Sequence, residues 1–400
     1  MKTPRCIHTA TLLPTGKLLV VGGMITLQQD ATSEYELYDP STEKWTIGGN
    51  IKVARTWHTA SLLPNGEVLI AGGANLYALD SAELYDPKTN VWKRVNSMHD
   101  TRVGHTASVL PNGKVLVTGG YKNALGNYRD SCELYDPSTG NWSMTGKMHY
   151  PRAWHIATVL LNGKVLVAGG DYEGFNDPPI SVAELYDPLT GNWTITDNMN
   201  VSRYCHTASL LKNGQVLVTG ACRYYDHRCE SAELYNPSTG SWTLTNNMHE
   251  CRQGHAATVL PNGQVLVAAG NIDLGNMDGT SEVFDPATGT WTESPMNENR
   301  FMHTISVLPN GKVLAAGRCD INYIGYNSTE LYDPTISHES DTVETFIAEK
   351  YRKASMSSMV YNSSKEAVMY SDEKKRQKIL RKRIIPLKKL LRTVKTKEIH

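Results

Sequence analysis

Apolar and polar residues along this chain fall into short runs, alternating or wholly apolar, cut at close intervals by Gly, Pro, Asn and Asp. Residues 58–63 (HTASLL) and 67–71 (EVLIA) flank Pro64-Asn65-Gly66, where the glycine supplies the positive φ that a tight hairpin needs. Residues 81–85 (SAELY) and the segment from Trp92 onward flank a second turn, Asp-Pro-x-Thr followed by Asn or Gly. In that turn Pro presets one dihedral, and Gly140, Gly191, Gly240 or Gly289 takes the left-handed one. Two hairpins in succession predict four short antiparallel strands. The longest apolar runs, such as 115–117, stop far short of the ~20 residues a membrane-crossing helix needs.

The four-strand unit recurs seven times. R-x-x-H places its histidine at His8, His58, His105, His155, His206, His255 and His303, at spacings of 50, 47, 50, 51, 49 and 48 residues. The arginines are Arg5, Arg55, Arg102, Arg152, Arg203, Arg252 and Arg300. Distances inside a unit are rigid: 15 residues from His58 to Gly73 and from His105 to Gly120, and 9 from Glu83 to Trp92, Glu133 to Trp142 and Glu184 to Trp193. Length varies only between the second and third strands and between the fourth strand and the next unit. A lone four-stranded sheet cannot bury both faces, so the units are expected to pack radially, each covering the next, as an all-β seven-bladed propeller over residues 1–334.

The unit R-x-x-H, Gly-Gly, Tyr-Asp-Pro, Trp resembles the Kelch repeat, and the resemblance covers residues 1–334. It implies a propeller that, in most relatives, binds a partner protein or peptide on the face built by the second-to-third and fourth-to-first strand loops. In a minority, of the galactose-oxidase kind, it implies a copper oxidase. The repeats start at Met1 with no BTB-like helical domain before them, so a ubiquitin-ligase adaptor is not expected.

Strand direction brings the Arg and His before the first strand, the Gly-Gly after the second and the Glu entering the third to one end of each blade. A guanidinium fork suits a carboxylate, so pairs Arg55–Glu83, Arg102–Glu133 and Arg152–Glu184 are expected. Sevenfold repetition at one phase marks a framework, because a catalytic site is built once. Trp92, Trp142 and Trp193 belong to that framework as core side chains between blades. Function is then sought where blades differ. The variable connections carry Trp57, Tyr77, Tyr121, Tyr128, Trp154, Tyr172, Tyr204, Tyr224, Tyr225, Phe301 and Tyr323, an aromatic set on one loop-built face that fits a partner-binding surface. An oxidase would need two Tyr and two His converging near the axis with a Cys beside one Tyr. Tyr224, Tyr225, His227 and Cys229 share one loop without partners from other blades, so no enzyme, metal or cofactor is expected.

The balance of 40 basic and 40 acidic residues hides a polar molecule: residues 1–334 carry net −8 and residues 335–400 net +8. From Asp372 onward, Lys and Arg mix with Ile379, Leu380, Ile384, Leu387, Leu390 and Leu391 at near-helical spacing interrupted by Pro386, giving a basic tail, partly helical or disordered, suited to anionic surfaces. It has no aromatic platform, so specific nucleic-acid reading is not expected. The seventh unit lacks its Trp, with Glu339 in that place; either residues 341–348 (DTVETFIA) supply a closing strand with Phe346 or Val343, or a strand upstream of Met1 does. Seven scattered Cys and no signal peptide favour a reducing, cytoplasmic setting and a monomer. In an oxidising one, Cys222 and Cys229 could close a small ring across the fifth loop.

Overall fold

The structure, a computed structural model, describes residues 1–335 apart from 27–30, 123–126, 173–179, 221–227, 274–275, 278 and 321. Among these residues every regular element is a strand, and the strands form seven antiparallel blades. Blade 2 is representative. Thr59–Leu62, Val68–Ala71, Ala82–Asp86 and Val91–Arg94 pair in sequence order, with Leu62 opposite Val68 and Tyr85 opposite both Val68 and Trp92. Blades 1 to 6 have four strands. The sixth adds a small hairpin, Asn271–Asp273 with Asn276–Met277, between its second and third strands.

The second strand explains why its sequence is apolar without alternation. All four residues of Val68–Ala71 are buried. Val68 and Ile70 join Tyr85 and Trp92 against Leu19 and Val21 of blade 1, whereas Leu69 and Ala71 pack with Val115, Val117 and Trp142 of blade 3. Successive side chains point to opposite faces of a sheet, and here both faces are blade interfaces. The fourth strand has one free face, and it alternates: in Val91–Arg94 only Trp92 is buried.

First strands of successive blades adjoin one another around the axis, and that of blade 7 adjoins that of blade 1, so the ring closes. It closes without a fourth strand in blade 7, which has only Thr304–Val307, Val313–Cys319 and Gly325–Tyr332 among the described residues. The seam is held by Cys6 and Cys319, disulfide-bonded across 313 residues with Cα atoms 5.3 Å apart. Backbone bonds from Arg5 N to Tyr326 O (3.3 Å) and Gly325 N to Ile25 O (2.7 Å) reinforce it.

Cysteine pairing corrects one expectation. Cys229 bonds to Cys251, not Cys222, because the connection from blade 5 to blade 6 runs beside the start of the third strand of blade 5. Cys132 and Cys205 are free thiols, and Cys222 lies outside the described residues. With four of seven cysteines paired, their scatter no longer argues for a reducing compartment. The expected closing strand at 341–348 and the basic tail also lie outside the described residues.

Candidate functional site: the axial mouth and its loop face

The framework places the site. Each repeat arginine is buried and donates Nη1 to the carbonyl 17 residues on, as Arg102 does to Gly119 O (2.8 Å). Its other nitrogen reaches the third-strand glutamate: Arg55–Glu83 at 3.1 Å, Arg102–Glu133 at 3.1 Å and Arg152–Glu184 at 2.6 Å. The carboxylate in turn accepts backbone N–H bonds, Glu133 from His99 and Asp100. A buried ion pair with its remaining lone pairs satisfied ties the start of the first strand to the ends of the second and third.

The repeat histidines lie inside this ring. Five of them meet a threonine hydroxyl of the preceding blade through Nε2, for example His58 with Thr9 (2.9 Å) and His105 with Thr59 (3.0 Å). For His206 and His303 the corresponding positions hold Ile156 and Ala256 instead of threonine. Burial, with the nearby arginine adding to it, lowers His8, His105, His255 and His303 to about 3 and holds His58, His155 and His206 well below the ordinary value. All seven imidazoles are therefore neutral between blades.

The residue immediately before each histidine forms the mouth. Ile7, Trp57, Trp154, Cys205 and Met302 have φ of 56°, 56°, 59°, 52° and 53°, and Gly104 and Gly254 have 65° and 61°. Backbone bonds run from one to the next, Trp154 N to Gly104 O (2.9 Å) and Cys205 N to Trp154 O (3.0 Å). These residues and the seven histidines line an axial cavity of roughly 300 Å³. Left-handed backbone costs a side-chain-bearing residue roughly 1–2 kcal/mol that glycine avoids. The framework imposes the conformation seven times, and five positions carry a side chain regardless.

Those side chains build an aromatic plate over the axis. Trp57 and Trp154 meet edge-on with ring centroids 4.4 Å apart. Gly104 makes room for them, since a Cβ there would lie 3.0 Å from the Trp154 ring. Tyr121 packs on Trp154 (5.8 Å) and on Tyr128 (6.1 Å), and the Tyr128 hydroxyl donates to Asp171 Oδ2 (3.0 Å). Burial raises both tyrosines, so they remain phenols, and pushes the Cys205 thiol up to about 12. On the other side Trp57 packs with Phe301, Met302 and Tyr323 beside the Cys6–Cys319 bond.

The aromatic set expected from sequence therefore divides. Trp57, Tyr121, Tyr128 and Trp154 form one cluster, and Phe301 and Tyr323 a second that shares Trp57. Tyr121 and Phe301 are buried and serve as the floor of the plate. Tyr172 and Tyr204 are half-buried, Tyr204 accepting from Gln253 Nε2 (3.1 Å). Tyr77 is 53% exposed; Tyr224 and Tyr225 lie outside the described residues. Sequence reasoning passed over Leu76 (53% exposed) and Ile324 (41%), apolar tips of the variable loops of blades 2 and 7. It also passed over Ile7, Cys205 and Met302, whose signal was their place immediately before the repeated histidine. Trp92, Trp142 and Trp193 are buried in blade interfaces, each about 5 Å from the third-strand tyrosine (5.0, 5.0 and 5.1 Å).

With this geometry in view, the family comparison is decisive. The KLHDC2/KLHL20/DRC7 Kelch-repeats domain model matches residues 104–317, more than half of the chain. The chain belongs to the Kelch-repeat family. A second model, the Attractin/LZTR1 β-propeller, matches residues 2–177 of the same Kelch propeller. No curated protein matches the chain. Among solved structures, a fungal alcohol oxidase of the AA5 family in complex with copper is similar, with a TM-score of 0.68 and 19% identity over 86% of this chain and 77% of that one. The protein YjhT is similar with a TM-score of 0.59 and 16% identity over 74% of this chain and 98% of that one. At these identities the likeness is one of fold. Among the described residues no three His, Cys, Asp or Glu side chains are grouped as a metal set, and five repeat histidines already engage threonine. The described residues of this Kelch propeller do not fit a copper centre.

Proposed function

We propose that this Kelch propeller is a non-enzymatic interaction module that binds a partner protein or peptide on its loop face, around the axial mouth. The observation carrying the reading is the ring of left-handed positions, where Ile7, Trp57, Trp154, Cys205 and Met302 stand although glycine would relieve the backbone. Their side chains assemble an aromatic plate that no single blade repeats. Exposed Leu76, Tyr77 and Ile324 rim it, an apolar centre of the kind that anchors a partner. Membership of a family whose propellers commonly bind proteins supports the same reading.

The test compares three full-length chains in a pull-down from native lysate: wild type, Leu76→Ser/Tyr77→Ala, and Leu161→Ser/Leu189→Ser on the opposite face. A protein retained by the first and third and lost by the second supports the loop face. Equal retention by all three refutes it. Stoichiometric copper in the purified protein, together with peroxide release from a primary alcohol, would replace the reading with the oxidase of the alternative class.

A further inference from the structure

Blade 7 carries a prepared place for a strand. Its third strand, Gly325–Tyr332, is the outermost of the blade among the described residues; its beginning is bonded to Ile25, Arg5 and Met1, but over residues 329–331 its far edge has no described strand beside it. Beside that edge, between blades 6 and 7, lies a cavity of roughly 260 Å³ lined by Leu266, Ala268, Met296, Ile305, Val313 and Tyr332, among others. In the other six blades the corresponding place is filled by the fourth-strand indole. Trp45, Trp92, Trp142, Trp193, Trp242 and Trp291 stand 4.9 to 5.1 Å from the third-strand ring. Most also donate Nε1 to the connection from the preceding blade, as Trp291 does to Asn246 O (2.8 Å).

The chain itself turns toward this place. In blade 3 the third strand ends in Asp136, whose Oδ1 accepts from Ser138 N (3.0 Å) and whose Oδ2 pairs with Lys114 (3.1 Å), and the next residues return as the fourth strand. Blade 7 builds the same turn: Asp333 Oδ1 accepts from Thr335 N (3.0 Å), and Oδ2 pairs with Lys312 (3.3 Å). The described chain thus ends at Thr335, in a turn of the kind that reverses the chain in blade 3. The first aromatic after the turn is Phe346, within 341–348 (DTVETFIA), where Thr342, Val343, Thr345 and Ile347 are β-branched and suited to a strand.

We propose that residues 341–348 run beside residues 329–331 as the fourth strand of blade 7 and seat Phe346 in this cavity. The blade then differs from the others by a longer turn, since the first Phe, Tyr or Trp beyond the turn comes 16 residues after the third-strand glutamate (Glu330 to Phe346) where the other blades have their Trp after 9. Phe346 then fastens blade 7 to blade 6, an interface apart from the seam held by Cys6–Cys319, and the acidic propeller holds the start of a basic tail.

The test uses the full chain with Leu331, which lines the cavity, replaced by p-benzoylphenylalanine and irradiated at low concentration. Cross-links mapped by mass spectrometry are expected within 341–348 of the same molecule. Alongside, Phe346→Asp should lower Tm by about 3–6 °C, whereas Phe346→Trp should keep or raise it and place the new indole in a buried, blue-shifted environment. Cross-links to another part of the tail, to a second copy or to a different protein would overturn the proposal. So would an unchanged Tm for Phe346→Asp.

Discussion

Mild acid should unfold this propeller well above the pH at which carboxylates protonate, because its seven repeat histidines are buried between blades as neutral rings. Burial is the largest cause of their lowered basicity, and the arginine three residues earlier adds repulsion. His8, His105, His255 and His303 sit at about 3 against an ordinary 6.5. A folded-state value below the unfolded one means that the unfolded chain binds protons first. Stability is thus complete above about pH 6.5 and is lost as pH falls from there toward 3. At pH 5 each such histidine lies about 1.5 pH units below its unfolded value, a loss of about 2 kcal/mol at 1.36 kcal/mol per unit. The four together remove about 8 kcal/mol, comparable with the roughly 5–15 kcal/mol that holds a typical domain folded. His58, His155 and His206 act in the same direction. Guanidinium denaturation followed by tryptophan fluorescence at pH 7.5, 6.5, 5.5 and 5.0 measures this directly. Replacing one imidazole, His105→Gln, should reduce the dependence on pH by roughly one proton, about 1.4 kcal/mol per pH unit. A stability that falls by less than about 2 kcal/mol between pH 7.5 and 5.0, or a pH dependence unmoved by His105→Gln, would refute the reasoning.

Replacing Arg102 by Leu should destabilise by about 3–5 kcal/mol, because it strands a buried Glu133 carboxylate; chemical denaturation reads it, and a loss under 1 kcal/mol would show the pair to be dispensable. Reducing Cys6–Cys319, or a Cys6→Ser variant, should lower stability by about 5 kcal/mol on chain-entropy grounds, with slower migration on a non-reducing denaturing gel; identical melting with and without reductant contradicts it. Gly104→Ala meets both a left-handed backbone and the Trp154 ring, so a cost of about 1–2 kcal/mol with altered tryptophan emission is expected, and unchanged emission would place Trp154 elsewhere.

What was legible in the sequence was whatever repeats. The hairpin turns are local, set by Gly66, Gly140 and the Asp-Pro steps, and an antiparallel unit fixes which residues share an end. Arg102 and Glu133 could thus be paired from spacing alone, and the apolar second strands implied covered faces on both sides. Aromatics of the variable loops were legible as a set but not as an arrangement. Whether Tyr121 is floor and Tyr77 rim depends on which blade brings which loop over the axis, and an alternating pattern within one strand holds no such information.

The sequence by itself determined the blade, the number of blades and the framework of each, because those rest on turn chemistry and side-chain alternation within about fifty residues. Only the tertiary structure decided the rest. Cys6 meets Cys319, Trp57 meets Trp154 and five of the histidines meet a threonine of the neighbouring blade because small rotations between successive blades sum to a closed ring. That sum is a property of all seven interfaces at once, and no segment of the chain carries it alone.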